Sequence, residues 1–493
     1  MKRIIAYFLV ITALFMLNAC GNSISIDGTL DEEPSIFPDY KEVTIPVNIA
    51  PLNFVLTDST AGSTRLLIEG KTDQLVVKGK DGDFEIPEKA WKKLLEAEVG
   101  GDITFTVCTK KDGRWLSMKP FKVHIVADKA DKYIAYRLIA PGYIVWKKMG
   151  IYQRNVEDFT QTPIFENSLT EYNCVNCHTF QARNPEKMIF HARVRNAGMV
   201  YVDNEQIKKL NTKTDQTTSP LVYGYWHPTA DYVAFSVNQT RLANFLNAAN
   251  CMEVYDSESD VVLFNVKTNE VFTCPQLSSE AAFETFPTFS PDGRSLYFCT
   301  ADSVSPMPDR YLDTHYSLCR IDFNPEDGTF GETVDTLYNA RTTKMSVSFP
   351  RISPDGKYLA FTLHQYGNFS IWQRDADIYM VDMADNRIYP LDEINTDQTE
   401  SYHSWSSNNR WMVFSSRRVD GLYTRLFFTY IDEQGKAHKP FMLPQRHPKK
   451  FYEELLYSYN LPEFLEGKVK FNRQDIARFM RDTEAERVSF KEN

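Results

Sequence analysis

The sequence predicts a mainly-β protein. A small N-terminal β-sandwich-like domain is followed by a β-propeller of about five blades, or six if another segment closes the ring, and a short C-terminal helical tail. Three observations predict this. Residues 41–126 alternate apolar and polar positions between Gly- and Asp-containing turns. A turn-plus-strand unit recurs from about residue 168 onward. Helical pattern is sparse: residues 88–97, the start of the stretch after residue 131, and residues 451–493.

The chain opens as an export signal. Lys2 and Arg3 form a charged start, and residues 4–17 are a continuous apolar stretch too short to span a bilayer comfortably. The stretch ends in Leu17-Asn18-Ala19-Cys20-Gly21, which resembles the lipobox of bacterial lipoproteins. That resemblance implies removal of residues 1–19 and lipid on the sulfur and amine of Cys20, a stable membrane anchor. An ordinary secretory signal and an uncleaved anchor helix are the alternatives. No acidic cluster follows Cys20 directly, so the expected anchor faces the periplasm.

Residues 20–38 are polar and acidic and read as a tether. Net charge is −10, which makes nucleic acid an unfavourable partner. No second apolar run is long enough to cross a membrane. Within the β-sandwich-like domain, residues 39–130, short strands are expected at 43–45, 66–68, 75–77, 103–107 and 121–125, with one helix at 88–97. His124 falls in a strand and reads as a packed or edge residue. Residues 131–183 read as an aromatic connector, with Tyr133, Tyr136, Tyr143, Trp146 and Tyr152, starting helical and ending extended.

Repeats then organise residues 184–445. Phe286-Pro287-Thr288-Phe289-Ser290-Pro291-Asp292-Gly293 matches Phe349-Pro350-Arg351-Ile352-Ser353-Pro354-Asp355-Gly356, with looser copies at 225–231 and 403–409. Pro presets one backbone angle of the turn, Asp bonds back to the chain, and Gly takes the conformation other residues avoid. A strand follows each copy. These repeats resemble those of TolB-type β-propellers, whose blades are four-stranded sheets that bury their faces against one another. Asn184-Pro185-Glu186-Lys187 falls where the other turns fall. Trp226 and Trp405 hold equivalent positions and point to blade-to-blade packing. Residues 446–493 read as the helical tail, with Asn472 opening a last amphipathic helix.

The chemistry concentrates in Cys174-Val175-Asn176-Cys177-His178. Cys-x-x-Cys-His is the attachment signature of c-type haem. Two thiols add to the two vinyl groups on one porphyrin edge, and the next residue offers an imidazole to the iron. A structural disulfide, a thioredoxin-like pair or half a zinc site are the alternatives; the isolated Cys251, Cys274, Cys299 and Cys319 supply no second zinc pair. The cysteines left over, which include Cys108, are odd in number, and either disulfides or buried thiols account for them. Cys174 and Cys177 are thus the expected attachment points, His178 the proximal iron ligand, His191 the first candidate distal ligand and Met188 the next, ahead of Met199 and Met149. Arg193 and Arg195 are candidates to pair with haem propionates. The pentad is expected at the entry to the first blade, at a junction that uses both the propeller and the sandwich. His227, His403, Glu284, Glu400 and Arg351 lie in or beside expected innermost strands, where a channel site is conceivable. No phosphate loop, nucleophile elbow or His-Glu-x-x-His helix is present.

As a whole the chain resembles a group of exported lipoproteins of the Bacteroidetes that join an N-terminal β domain, a Cys-x-x-Cys-His segment and TolB-like repeats. The resemblance rests on the lipobox, residues 173–178, residues 185–191 and the two Ser-Pro-Asp-Gly blades. It implies an architecture and a cofactor, one covalent haem c, more than an activity. The expected function is a membrane-anchored monohaem protein of the periplasm that passes or senses electrons, with a redox or envelope protein partner on the propeller face. A TolB-like binding or scaffold protein with a structural haem is one alternative. A haem enzyme with an open sixth position is the other.

Overall fold

A computed structural model of the chain describes residues 24–58, 62–141, 148–244, 250 and 252–491. Cys20, Tyr143, Trp146 and Cys251 lie outside the described residues. The chain divides into two compact units: the described residues up to Lys129 with Pro444–Glu454, and Ala130–Leu443 with the described residues from Leu455 on.

The first unit is a β-sandwich. Thr64–Glu69, Gln74–Lys78, Asp102–Lys111, Arg114–Ser117, Phe121–Val126 and Val43–Pro46 form most of a seven-stranded sheet. Ile36–Phe37, Phe54–Leu56 and Asp83–Phe84 form a small second sheet. Phe54 of the small sheet packs against Phe105 and Phe121 of the large one, with ring centroids 6.4 and 6.1 Å apart. Helix Glu88–Ala97 buries Trp91, Leu94 and Leu95, the one-face spacing of an amphipathic helix. His124 lies on strand Phe121–Val126, which is paired on both sides, with Nδ1 2.9 Å from Asp102 Oδ1; it is a residue of an inner strand, not of an edge. Part of the expected tail belongs here: helix Pro448–Glu454 sets Tyr452 edge-on to Phe37, and Arg446 reaches Glu85 and Glu88 at 2.8 and 2.7 Å.

The second unit is a β-propeller of six sheets, each antiparallel through its four main strands, with a fifth strand on two of them. The innermost strands of blades 1 to 5 are Cys174–Phe180, Val222–Trp226, Ala282–Phe289, Ser346–Ile352 and Glu400–Trp405. Blade 6 takes its innermost strand, Ser458–Leu465, from near the C-terminus. Its other strands are Tyr133–Ile139, Gly150–Asn155 and Gln161–Glu166. The stretch expected to be an aromatic connector beginning as a helix is therefore three strands plus the innermost strand of blade 1. Its pairing partner lies over three hundred residues away, so local pattern carries no trace of the sheet. Strands that precede blade 1 and a strand that follows blade 5 in the chain thus share one sheet, which closes the ring.

The turns behave as their residues dictate. Ser290 Oγ donates to Asp292 Oδ1 and accepts from the Ser295 amide, and Gly293 sits at φ +71°. Ser353, Asp355, Tyr358 and Gly356 repeat the arrangement in blade 4. The indole of Trp226 donates to the Thr179 carbonyl of the preceding blade, and that of Trp405 to the Arg351 carbonyl. These bonds lock neighbouring blades together, as their equivalent sequence positions imply. The last helix, Arg473–Asp482, is capped by Asn472, whose side chain accepts from the Gln474 amide. It buries Ile476, Ala477 and Met480 against the core of blade 1, and Lys209 Nζ donates to the carbonyls of Met480 and Thr483 at its C-terminal end. Beyond it, Glu486–Arg487 and Ser489–Phe490 add to the outer edges of blades 1 and 2, so the tail is only partly helical.

One feature repeats in all six innermost strands. Each is interrupted by a bulge with a residue at positive φ: Cys177 (+51°), Tyr223 (+51°), Phe286 (+49°), Phe349 (+51°), Tyr402 (+52°) and Leu461 (+51°). Non-glycine residues pay for this conformation with local strain, so packing must hold them there. It does. Tyr223, Phe286, Phe349 and Tyr402 form a continuous run of rings around the axis, with successive centroids 4.9, 4.1 and 4.7 Å apart. Phe286 is 1% exposed at the middle of this run. Its replacement by alanine is expected to lower propeller stability by about 3–5 kcal/mol, read as a shift in the denaturant midpoint at unchanged slope.

Candidate functional site

The six bulges generate the site. The residues at positive φ make a floor across the channel. The residue after each floor position is His178, Gly224, Pro287, Pro350, His403 or Pro462. The next is Thr179, Tyr225, Thr288, Arg351, Ser404 or Glu463. Between floor and mouth lies a cavity of about 210 Å³ to which every blade contributes, and among its lining residues are Cys177, His178, Tyr225, Arg351, His403 and Glu463. The lining comes from the propeller unit alone.

Two members of this set are unusual. His178 and His403 are 3% and 2% exposed, and neither imidazole has a side-chain hydrogen-bond partner; what each meets is backbone, at Leu461 and at Ala360 respectively. Glu463 Oε1 lies 3.9 Å from His178 Nε2, beyond hydrogen-bond reach. Burial drives both imidazoles down to about 3, helped by the charge of Arg137 at His178 and of Arg351 at His403 and opposed by the backbone at Leu461 and at Ala360. Both are therefore neutral at pH 7, with lone pairs available. Leaving a buried polar group unsatisfied costs about 1–3 kcal/mol. His191 leaves Nδ1 without a partner inside blade 1, but two other buried histidines do not bear that cost. His364 meets Tyr366, Gln373 and Ser348, and His227 caps its own turn through the amides of Thr229 and Ala230 and reaches the Gly293 carbonyl.

Around the imidazoles the wall carries charge in controlled form. Arg351 stacks on Tyr225, 5.0 Å from the ring centroid, and burial lowers its affinity for its proton. Glu463 accepts from the Phe180 amide at 3.2 Å, yet burial pushes its carboxyl up to about 8, against the pull of that amide and of Arg351. Among the described residues, no three His, Cys, Asp or Glu side chains are grouped to hold a bare metal ion.

The expected haem residues separate. Cys174 and Cys177 are both free thiols. Cys177 lies on the cavity floor and His178 on its wall, but Cys174 is not in the lining, and its sulfur accepts from Asn176 Nδ2 at 3.0 Å. The donor set thus fits a haem at Cys177 and His178, and a second thioether requires Asn176 to release Cys174. His191 pairs with Asn176 and Met199 inside blade 1, is buried and driven down to about 3 by desolvation, and does not line the cavity. Met188 is fully buried among Val175 and Phe190, Met199 packs near Trp226, and the Met149 sulfur accepts from the Val175 amide. Arg193 is exposed and Arg195 pairs with Glu171 at 3.5 Å.

Of the channel residues picked out by sequence, His403 and Arg351 reach the cavity, whereas His227, Glu284 and Glu400 do not. Glu284 is buried and pushed up to about 8, by desolvation and by Asp260. Glu400 is held by Thr396, Ser416 and Arg418. Sequence reasoning missed Tyr225 and Glu463. Aligning the strands on their bulges would have found Tyr225; Glu463 sits on a strand with no repeat signature. Cys108, Cys274, Cys299 and Cys319 are free thiols, so the leftover described cysteines form no disulfide.

Six sheets around an axis, each with four main strands and each feeding one pocket through its innermost strand, define a six-bladed β-propeller with an axial cavity. No family model and no curated protein matches the sequence. Solved structures that it resembles include TolB from Acinetobacter baumannii, at 11% identity over 73% of this chain and 79% of that one, with a TM-score of 0.42. Another is the β-propeller domain of the Trilobed protease from Pyrococcus furiosus, at 13% identity over 69% and 94%, with a TM-score of 0.34. A third is prolyl oligopeptidase B from Galerina marginata, at 10% identity over 63% and 44%, with a TM-score of 0.35. The chain thus spans less than half of that last protein. The propeller assignment rests on the sheet topology itself.

The Glu463 carboxyl gives a pH test. It keeps a proton up to about 8 in the fold, whereas an unfolded glutamate loses it near 4.5. Between those values the folded chain binds more protons, so this residue's contribution to stability falls as pH rises. Glu463→Gln is expected to gain thermal stability relative to the parent at pH 8 compared with pH 5, in paired melts. An unchanged difference would mean that Glu463 is ionised in the fold.

Proposed function

We propose that the protein is a cell-envelope propeller that carries one haem c at its channel mouth and passes or senses electrons. Cys177 and His178 support this reading most: a free thiol and a neutral imidazole without a side-chain partner are adjacent at one cavity. The repeat explains the backbone there but not the residues, because the equivalent floor positions are aromatic or leucine. Cys177 would hold the porphyrin edge, Cys174 would join it once freed from Asn176, and His178 would hold the iron. Bound haem would supply a one-electron iron couple whose potential is set by the ligands and by burial. Arg351, with its charge buried beside the site, favours electron-rich groups there. Lipid at Cys20 would keep the protein at a membrane facing the periplasm, within reach of a redox partner.

A second reading is a binding or scaffold propeller of the envelope in which the mouth takes a different ligand. Its support is the position of Cys174, which is outside the cavity lining and hydrogen-bonded to Asn176.

The experiment is a haem stain on denatured protein exported with c-type maturation active. The parent is expected to stain, Cys177→Ala to lose the stain, and Cys174→Ala to keep part of it through one thioether. A folded parent with no covalent haem would remove the haem reading and leave the binding one.

A further inference from the structure

The residues one step past the channel floor carry an inference about the iron's other face. Six blades contribute one such residue each. Four are glycine or proline, which have no side-chain donor atom: Gly224, Pro287, Pro350 and Pro462. The remaining two are both histidine, His178 in blade 1 and His403 in blade 5. They flank blade 6, line the same cavity, are almost fully buried, and have no side-chain hydrogen-bond partner. His364, also buried in the propeller, is held by side chains at hydrogen-bond distance on both ring nitrogens. Two imidazoles free of side-chain partners, at equivalent positions around one cavity, are what a shared ligand between them would require.

We propose that His178 and His403 form a two-imidazole site, in which His403, not His191 or Met188, is the second axial ligand of the haem. The assignment rests on the haem reading above. His191 and Met188 are held inside blade 1: His191 is paired across the sheet with Asn176 and Met199, and Met188 is packed with Val175 and Phe190. Reaching the cavity would mean breaking that blade. His403 needs no such rearrangement, because it already faces the cavity. The chain brings it there through blade 5, over two hundred residues beyond the pentad. Among the described residues that line the cavity, no third side chain is an imidazole.

The test is absorbance spectroscopy of the haem-loaded full chain and its variants. The parent is expected to be six-coordinate and low-spin, unreactive to carbon monoxide when reduced. His403→Ala should keep the haem stain on a denaturing gel but become high-spin and bind carbon monoxide. His403→Met should restore a low-spin spectrum with a raised reduction potential, which a merely structural histidine would not do. His191→Ala should leave the spectrum unchanged. A stained, folded His403→Ala protein with the parent spectrum overturns this assignment and leaves the haem reading standing. So does a His191→Ala protein that turns high-spin. A parent that takes up no covalent haem overturns both together.

Discussion

Everything at the channel depends on one backbone constraint, the bulge that puts a residue at positive φ in each innermost strand. A regular strand would send alternate side chains into the two flanking blades. The bulge breaks that alternation and points one side chain per blade across the axis. Contacts among Tyr223, Phe286, Phe349 and Tyr402 offset the local strain, and the resulting floor divides the channel. The cavity, its wall and its two histidines are consequences of where that floor sits.

The cysteine–histidine pentad is built into this constraint. Cys177 stands where four other blades place an aromatic ring, and a small thiol there opens space on the axis. His178 inherits the wall position that the repeat assigns to the residue after the floor. A signature associated with a turn around haem is thus carried by a strand with a bulge, and its two cysteines and histidine do not share one environment. Two face the cavity and Cys174 is tied to Asn176. The same cavity surrounds the imidazoles with a stacked arginine and a carboxyl that prefers its proton, so little net negative charge builds up near the site at neutral pH.

Closure of the ring explains why the two chain ends matter to a site in the middle of the sequence. Ser458–Leu465 supplies Leu461 to the floor and Glu463 to the wall, and it pairs with Tyr133–Ile139 to finish blade 6. Helix Arg473–Asp482 then covers blade 1, the blade that carries the pentad, and the last short strands bind the outer edges of blades 1 and 2. The C-terminal segment is therefore part of the propeller's framework.

By itself the sequence determined the features that local chemistry dictates. The Ser-Pro-Asp-Gly turns, the alternating strands of the sandwich, the helix at Glu88–Ala97, the Asn472 cap and the paired tryptophans were all legible, because each follows from residues close together in the chain. So was the pentad as a chemical motif. Tertiary structure alone decided the rest. Residues 131–166 read as a connector because their sheet partner is the distant Ser458–Leu465. His191 read as the natural second ligand because it follows the pentad closely, yet the hydrogen-bond ladder of blade 1 holds it in the sheet. His403 is remote in sequence and reaches the cavity because propeller symmetry brings every innermost strand to one axis. Proximity along the chain governs turns and caps; a cavity is governed by which strands converge, and that convergence is set by long-range pairing.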